Sequence, residues 1–417
     1  MNRYGLIGEK LSHSFSKEIH EQLADYKYDL IELEKNQLDE FFRKKEFNAI
    51  NVTIPYKQDV IKYLDTVDSK AKAINAVNTI VNINGKLVGY NTDYYGFKYM
   101  CEKHGINFNN KKVLVIGDGG ASKAIQAVVN DYKIKDLIIV DIEKKESTIT
   151  YDELDKHLDV EIVINTSPVG MYPNIDNSPI DLIKFEQVVA VVDVIYNPLN
   201  TKLCVDARKL NITNVTGLEM LIGQAKYAVE YFLDKSIDNK EIDIIYKRML
   251  KDTYNIVLIG MPSCGKTFVS RRLHEISNRQ IVDIDEQIVE KAGKPIPEIF
   301  EELKEVGFRF LETQVIKEVS KKNNMIIATG GGCIKNEINI DYLRMNSRIY
   351  FLDRSLDLLI CDDPNRPLSK SKEAVKTLYE ERHDLYKKYA DKIIDSNQDI
   401  DKVALDILED YNETFNS

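Results

Sequence analysis

Gly260-Met-Pro-Ser-Cys-Gly265-Lys266-Thr267 follows an apolar run, Asn255-Ile-Val-Leu-Ile259, and precedes a helical pattern, Phe268-Val-Ser-Arg-Arg-Leu-His-Glu-Ile276. A buried strand, a tight glycine loop and a helix N-terminus make a phosphate cradle. Backbone N–H groups face the anion, Lys266 neutralises β/γ-oxygens, and the Thr267 hydroxyl can ligate Mg²⁺. This stretch predicts a nucleoside-triphosphate site in the second half of the chain. Residues 1–252 exceed what a kinase appendage needs, so another unit occupies the front.

The composition of the 417 residues sets outer limits. Two to three domains are expected, and 43% hydrophobic with 30% charged residues is a soluble-globular balance. A net charge of -10 argues against nucleic-acid binding, since no basic stripe could neutralise phosphates in number. Cys101, Cys204, Cys264, Cys333 and Cys361 stand singly, which fits a reducing cytoplasm and excludes a CxxC zinc site or a disulfide framework. No long apolar leader or membrane-length run is visible, so a cytoplasmic protein without membrane contact is expected. The oligomeric state is not readable.

Strand-like runs alternate with helical patterns in the front, which predicts an α/β architecture. Val113-Leu-Val-Ile-Gly117-Asp-Gly119-Gly120-Ala121 is again strand, glycine turn and helix. Leu137-Ile-Ile-Val140 then ends at Asp141, the distance at which a dinucleotide fold places its ribose contact. In Asn51-Val-Thr-Ile-Pro-Tyr-Lys57, alternation puts Asn51 and Thr53 on one face and buries Val52 and Ile54, with Pro55 throwing Lys57 past the strand end. The charged run Asp234–Lys251 reads as a helical tether.

Gly5-Leu-Ile-Gly8, Ser12-His-Ser14-Phe-Ser16, the Asn51–Lys57 motif, Asn78, Asn91-Thr-Asp93, Gly117–Ala121, Asn165-Thr-Ser-Pro-Val-Gly-Met171 and Thr216-Gly217-Leu-Glu-Met-Leu-Ile-Gly-Gln224 stand in the order seen in shikimate dehydrogenases. Residues 1 to about 235 resemble that family. The resemblance implies a substrate domain at 1–98, a Rossmann-like dinucleotide domain at 99–215, and a return helix with linker at 216–252. It implies substrate contacts at Ser14, Ser16, Thr53, Asn78, Asp93, Tyr196 and Gln224, with Lys57 as acid/base held by Asp93. Cofactor contacts are implied at Gly117, Gly119, Gly120, Ala121, Asp141, Val194 and Gly217. The implied substrate is 3-dehydroshikimate, whose ketone needs a proton donor as hydride arrives.

Two departures stand out. Lys17 replaces a usual proline. At Asp141-Ile142-Glu143-Lys144-Lys145 the family's Asn-Arg-Thr is missing, and with it the arginine that clamps the 2′-phosphate of NADP. A carboxylate there favours the free hydroxyl of NAD, while Lys144 or Lys145 could compensate. The cofactor stays open between NADP and NAD at this point.

In the back half, Ile281-Val-Asp283-Ile-Asp285 reads as a strand ending in two carboxylates on one face. Phe308-Arg309-Phe-Leu-Glu312, Met325-Ile-Ile-Ala-Thr-Gly330-Gly331-Gly332, Asn365-Arg366-Pro367-Leu368 and Glu381-Arg382 follow. Together these resemble shikimate kinase and imply a P-loop domain of nucleoside-monophosphate-kinase type at 253–417. Shikimate contacts are then Asp285, Arg309, Gly331 and Arg382, and ATP contacts are Ser263, Cys264, Gly265, Lys266, Thr267, Phe268 and Arg366. Mg²⁺ falls to Thr267 and Asp283, and Asp285 and Lys266 carry the chemistry. Lys304, where that family has glycine, reads as a surface effect.

The resemblances together imply a bifunctional enzyme of aromatic amino-acid biosynthesis. Two alternatives stand beside it: an NAD-preferring quinate/shikimate dehydrogenase joined to the kinase, and a non-catalytic metabolite sensor built from the same modules. A sensor could discard Lys57, Lys266 and Thr267, yet all three are present.

Overall fold

The computed structural model describes residues 3–11, 14–359 and 371–416. It separates into two compact units, 1–246 and 247–417, each α/β.

The first unit holds two sheets. In the six-stranded one, the order is Tyr28–Glu32, Tyr4–Gly8, Ala49–Val52, Thr79–Ile83, Lys86–Tyr90 and Thr66–Val67. Its first three strands run parallel, and Thr79–Ile83 is antiparallel to both neighbours. The other sheet is five parallel strands in the order Thr213–Thr216, Ala190–Asp193, Ile162–Asn165, Lys112–Ile116 and Asp136–Val140. The near-continuous Val/Ile content of its three central strands, Ala190–Asp193, Ile162–Asn165 and Lys112–Ile116, is that of strands covered on both faces.

Helix Leu218–Leu233 crosses helix Asp93–Lys103 glycine against glycine. A Cβ at Gly96 would meet the Met220 carbonyl at 2.6 Å and the Gln224 amide at 2.7 Å, so both helices need the missing side chain. The same helix returns to the first sheet, where Phe232 packs with Tyr4, Leu6 and Tyr28. That crossing sets Asp93 and Gln224 close together.

The second unit is a five-stranded parallel sheet, ordered Gln280–Asp283, Met325–Ala328, Asn255–Ile259, Ser347–Asp353 and Lys392–Asp395. The phosphate loop joins its central strand Asn255–Ile259 to helix Lys266–Ser277.

Three local expectations are corrected. Ile54 is 70% exposed, because the strand already ends at Val52 and alternation no longer applies beyond it. The carboxylates of Asp283 and Asp285 do not share a strand face. The strand stops at Asp283, whose Oδ1 caps helix Ile284–Ala292 by accepting from the amides of Asp285 (2.9 Å) and Glu286 (3.5 Å). Lys304 is more than a surface change. It interrupts Ile296–Val319 with φ 59° and ψ −177°, a backbone region that glycine alone enters cheaply.

The strain at Lys304 yields a stability prediction. Lys304→Gly should stabilise the second unit by about 1 kcal/mol, the low end of the strain carried by such a residue after glycine's entropy cost is subtracted. Urea unfolding followed by a probe in that unit checks it, and a destabilised variant contradicts it.

Candidate active sites

In the first unit a cavity of about 510 Å³ opens above the ends of the first sheet's parallel strands. Ser14, Ser16, Thr53, Lys57, Asn78, Asp93, Tyr196 and Gln224 all line it, with Ala121, Val194 and Gly217. Ser12 and His13 lie outside the described residues.

Lys57 Nζ donates to Asp93 Oδ2 at 2.6 Å, with side chains only 12% and 9% exposed. Asp93 opens helix Asp93–Lys103, so its carboxylate also gains from the positive helix end. Asn78 is buried, its Oδ1 accepting from the Thr92 amide at 2.8 Å and the Thr79 hydroxyl at 2.9 Å. Asn51 braces it from below, its Oδ1 accepting a hydrogen bond from the Tyr28 hydroxyl at 2.7 Å and its Nδ2 donating to the Asn78 carbonyl at 3.1 Å.

The glycine loop approaches this cavity from the second sheet. A Cβ at Gly120 would touch the Lys57 side chain at 3.5 Å. Gly117 needs its glycine at φ 94°, and its N–H bonds the Val140 carbonyl at 2.7 Å. Gly119 caps helix Gly120–Asn130 with no side chain on the first amides and open space at its Cα, which fits a dinucleotide's pyrophosphate. Gly117, Gly119, Gly120 and Asp141 stand outside the cavity lining, along the edge where an adenosine half would lie. There the fit changes. Asp141 Oδ2 accepts from the Asp118 amide at 2.9 Å, and no arginine faces it among the described residues.

Sequence reasoning missed Asp193. Burial pushes its carboxyl up to about 6, opposed by bonds from the Thr201 hydroxyl (2.6 Å), the Ile195 amide (3.0 Å) and Asn165 (3.1 Å). It fixes the turn that carries Val194 and Tyr196. An isolated Asp at a strand end gives no signal of burial.

The second unit's cavity, about 560 Å³, is lined by Ser263, Gly265, Lys266, Thr267, Phe268, Asp283, Asp285, Arg309, Gly331 and Arg382. Cys264 is the exception. It is fully buried, its sulfur filling the space beside Gly260, so only its backbone can serve a phosphate. Arg366 and the loop Asn365–Leu368 lie outside the described residues. Gly260 and Gly265 take φ 151° and 104°, and Lys266 Nζ bonds the carbonyls of Gly260 and Met261, each at 2.9 Å. Those contacts coil the lysine over the loop it serves.

Arg382 is buried and donates to the Gly331 carbonyl at 3.0 Å, which Tyr386 also bonds. Arg309 donates to Glu312 Oε2 at 2.8 Å and to Glu305 Oε1 at 3.3 Å. A Cβ at Gly330 would meet Asp285 Oδ1 at 2.8 Å and Glu312 Oε1 at 3.0 Å, so two carboxylates and an arginine converge there. The function of Glu312 was not read from the sequence, nor were Arg354, Ser396, Gln398, Ile400 and Val403, which line the same cavity beyond the phosphate loop.

Known proteins agree with both halves. The family model for the shikimate dehydrogenase substrate-binding domain matches residues 6–80. The shikimate dehydrogenase (NADP(+)) of Clostridium beijerinckii is 40% identical over 263 residues, covering 59% of this chain and 97% of that relative. The chain belongs to the shikimate dehydrogenase family. Solved neighbours of this dehydrogenase include shikimate dehydrogenase 1 from Peptoclostridium difficile (36% identity, 60% of this chain and 98% of that one, TM-score 0.56). A chorismate mutase/shikimate 5-dehydrogenase fusion protein from Clostridium acetobutylicum is as similar (37%, 60% and 97%, TM-score 0.56). The family model for shikimate kinase matches residues 262–412, so a kinase domain follows the dehydrogenase. No described helix is long and apolar enough to cross a membrane.

Burial pushes the Glu312 carboxyl from 4.5 up to about 7, with Arg309 opposing the rise and Asp285 adding to it. A carboxyl raised by folding contributes stability below its unfolded value and loses it as pH climbs through the folded one. Glu312→Gln should therefore gain on the unaltered protein between about pH 4.5 and 7, by up to about 3 kcal/mol, and level off above. Denaturant titrations across that range check it, and a pH-independent difference contradicts it.

Proposed function

We propose that the first unit reduces the ketone of 3-dehydroshikimate to the hydroxyl of shikimate, and that the second transfers the γ-phosphoryl of ATP to that hydroxyl, giving shikimate 3-phosphate. The Lys57–Asp93 ion pair carries the first assignment, since it places a charged proton donor inside a cavity of hydroxyls and carboxamides.

A nicotinamide dinucleotide bound on the glycine loop supplies the hydride. Lys57 Nζ gives its proton to the ketone oxygen as negative charge develops there, and Asp93 holds the ammonium in reach. Ser14, Ser16, Thr53, Asn78, Tyr196 and Gln224 orient the ring through its oxygens.

In the kinase, Arg309 and Arg382 bind the substrate carboxylate. Asp285 accepts the proton of the attacking hydroxyl, and Lys266 neutralises charge on the transferring phosphoryl group. Thr267 and Asp283, which line the cavity, would hold Mg²⁺ there to neutralise charge on the nucleotide phosphates. Arg354, Gln398, Ile400 and Val403 form the surface for the nucleotide base.

The domain limits 1–98, 99–215, 216–252 and 253–417 belong to this reading. So does a cytoplasmic location without nucleic-acid partners, supported by four buried free thiols among the described residues and the net charge of -10.

Lys57→Ala should cost the reduction on the order of 10²–10⁴ in rate while leaving phosphorylation of shikimate near its original rate. Lys266→Ala should do the converse. Steady-state kinetics of each half-reaction decide the matter, and parallel loss of both activities in either variant refutes the division of labour.

A further inference from the structure

The edge of the glycine loop carries a cluster of charges that neither activity requires. Asp118, between Gly117 and Gly119, has a side chain only 4% exposed. Its Oδ1 accepts from Lys123 Nζ at 2.7 Å and Gln126 Nε2 at 3.0 Å, and its Oδ2 from Lys145 Nζ at 3.2 Å. Lys145 is also 3.6 Å from Asp141 Oδ2, so two carboxylates share it. Lys144, the remaining cation of that loop, is paired at 2.8 Å with Glu153.

This is where the fold puts the adenosine ribose, at the end of strand Asp136–Val140 beside Asp141. Lys123 and Lys145 balance Asp118 and Asp141 one for one, and among the described residues of this cluster no cation stands unpaired. A 2′-phosphate would have to pull Lys145 from two carboxylates and then lie against both. A free 2′-hydroxyl meets no such barrier and can donate to Asp141. Ile142, 81% exposed next in sequence, offers an apolar surface where the family has arginine.

We propose that Asp118 is a specificity-determining residue that locks Lys145 and turns this dehydrogenase from NADP towards NAD. Asp141 alone would leave Lys145 able to swing onto a 2′-phosphate. Asp118 supplies the second hold, from inside the glycine loop. The inference rests on the dehydrogenase reading of the first unit and names its cofactor.

Direct binding tests it without turnover, by titrating the full chain with NADH and NADPH and following nicotinamide fluorescence. The unaltered protein should bind NADH at least as tightly as NADPH. Asp118→Asn keeps the shape and removes one charge, so NADPH affinity should rise about tenfold relative to NADH at low salt and less at high salt. Asp118→Ser, which removes the charge with a smaller side chain, should move the ratio the same way. Lys145→Gln, at an exposed position, should shift the ratio less than about twofold by itself, yet cancel the gain when combined with Asp118→Asn.

Strong NADPH preference in the unaltered protein overturns the inference. So does an unmoved ratio in both Asp118 variants, or a large loss of NADPH binding from Lys145→Gln alone. In all three cases the dehydrogenase reading survives. Failure of the unaltered protein to bind either dinucleotide would remove that reading and the inference together.

Discussion

A parallel sheet gathers its strand-to-helix loops at the carboxyl ends of its strands, and this geometric constraint places most of both sites. Lys57 follows Ala49–Val52, the glycine loop follows Lys112–Ile116, and Val194 and Tyr196 follow Ala190–Asp193. In the second unit the phosphate loop follows Asn255–Ile259, Asp283 ends its own strand, and the triple glycine follows Met325–Ala328. Most strand interiors are apolar and satisfied within their ladders, which frees the strand ends to carry polar chemistry.

Polar groups at those ends are held by burial and pairing. The Lys57–Asp93 pair is nearly withdrawn from water, a costly arrangement unless each partner meets the other at close range. Asn78 is fixed by three hydroxyl and amide donors, and Asn51 stands under it, so the carboxamide is oriented before any ligand arrives. Glu312 follows the same logic in the kinase. It is fully buried, and Arg309 is the cation that compensates it. Removing either Lys57 or Asp93 would strand a charge in low dielectric, so that pair serves placement more than stability.

Much of this was legible in the sequence because it is written in local signals. Strand–glycine–helix punctuation at Ile116–Ala121 and at Ile259–Thr267 announces two nucleotide loops, and motif order separates the dehydrogenase from the kinase. The failures have physical causes. Asp283 was misread because an N-cap and an alternating strand end look alike over three residues. Ile54 was misplaced because alternation cannot tell where a strand stops. The backbone of Lys304 leaves no trace in its side-chain chemistry. Asp193, Glu312 and Asp118 are single carboxylates whose importance comes from burial, which no spacing rule records.

The two chemistries connect through one oxygen. Reduction converts the ketone of 3-dehydroshikimate into the hydroxyl that phosphoryl transfer then needs, so each unit explains the residues the other lacks. The most direct test is a single reaction containing the full chain, 3-dehydroshikimate, a reduced nicotinamide dinucleotide, ATP and Mg²⁺. Shikimate 3-phosphate should form with one dinucleotide oxidised and one ATP consumed per molecule of product. Oxidation that stops at shikimate, or ATP consumption with no prior reduction, would contradict the account.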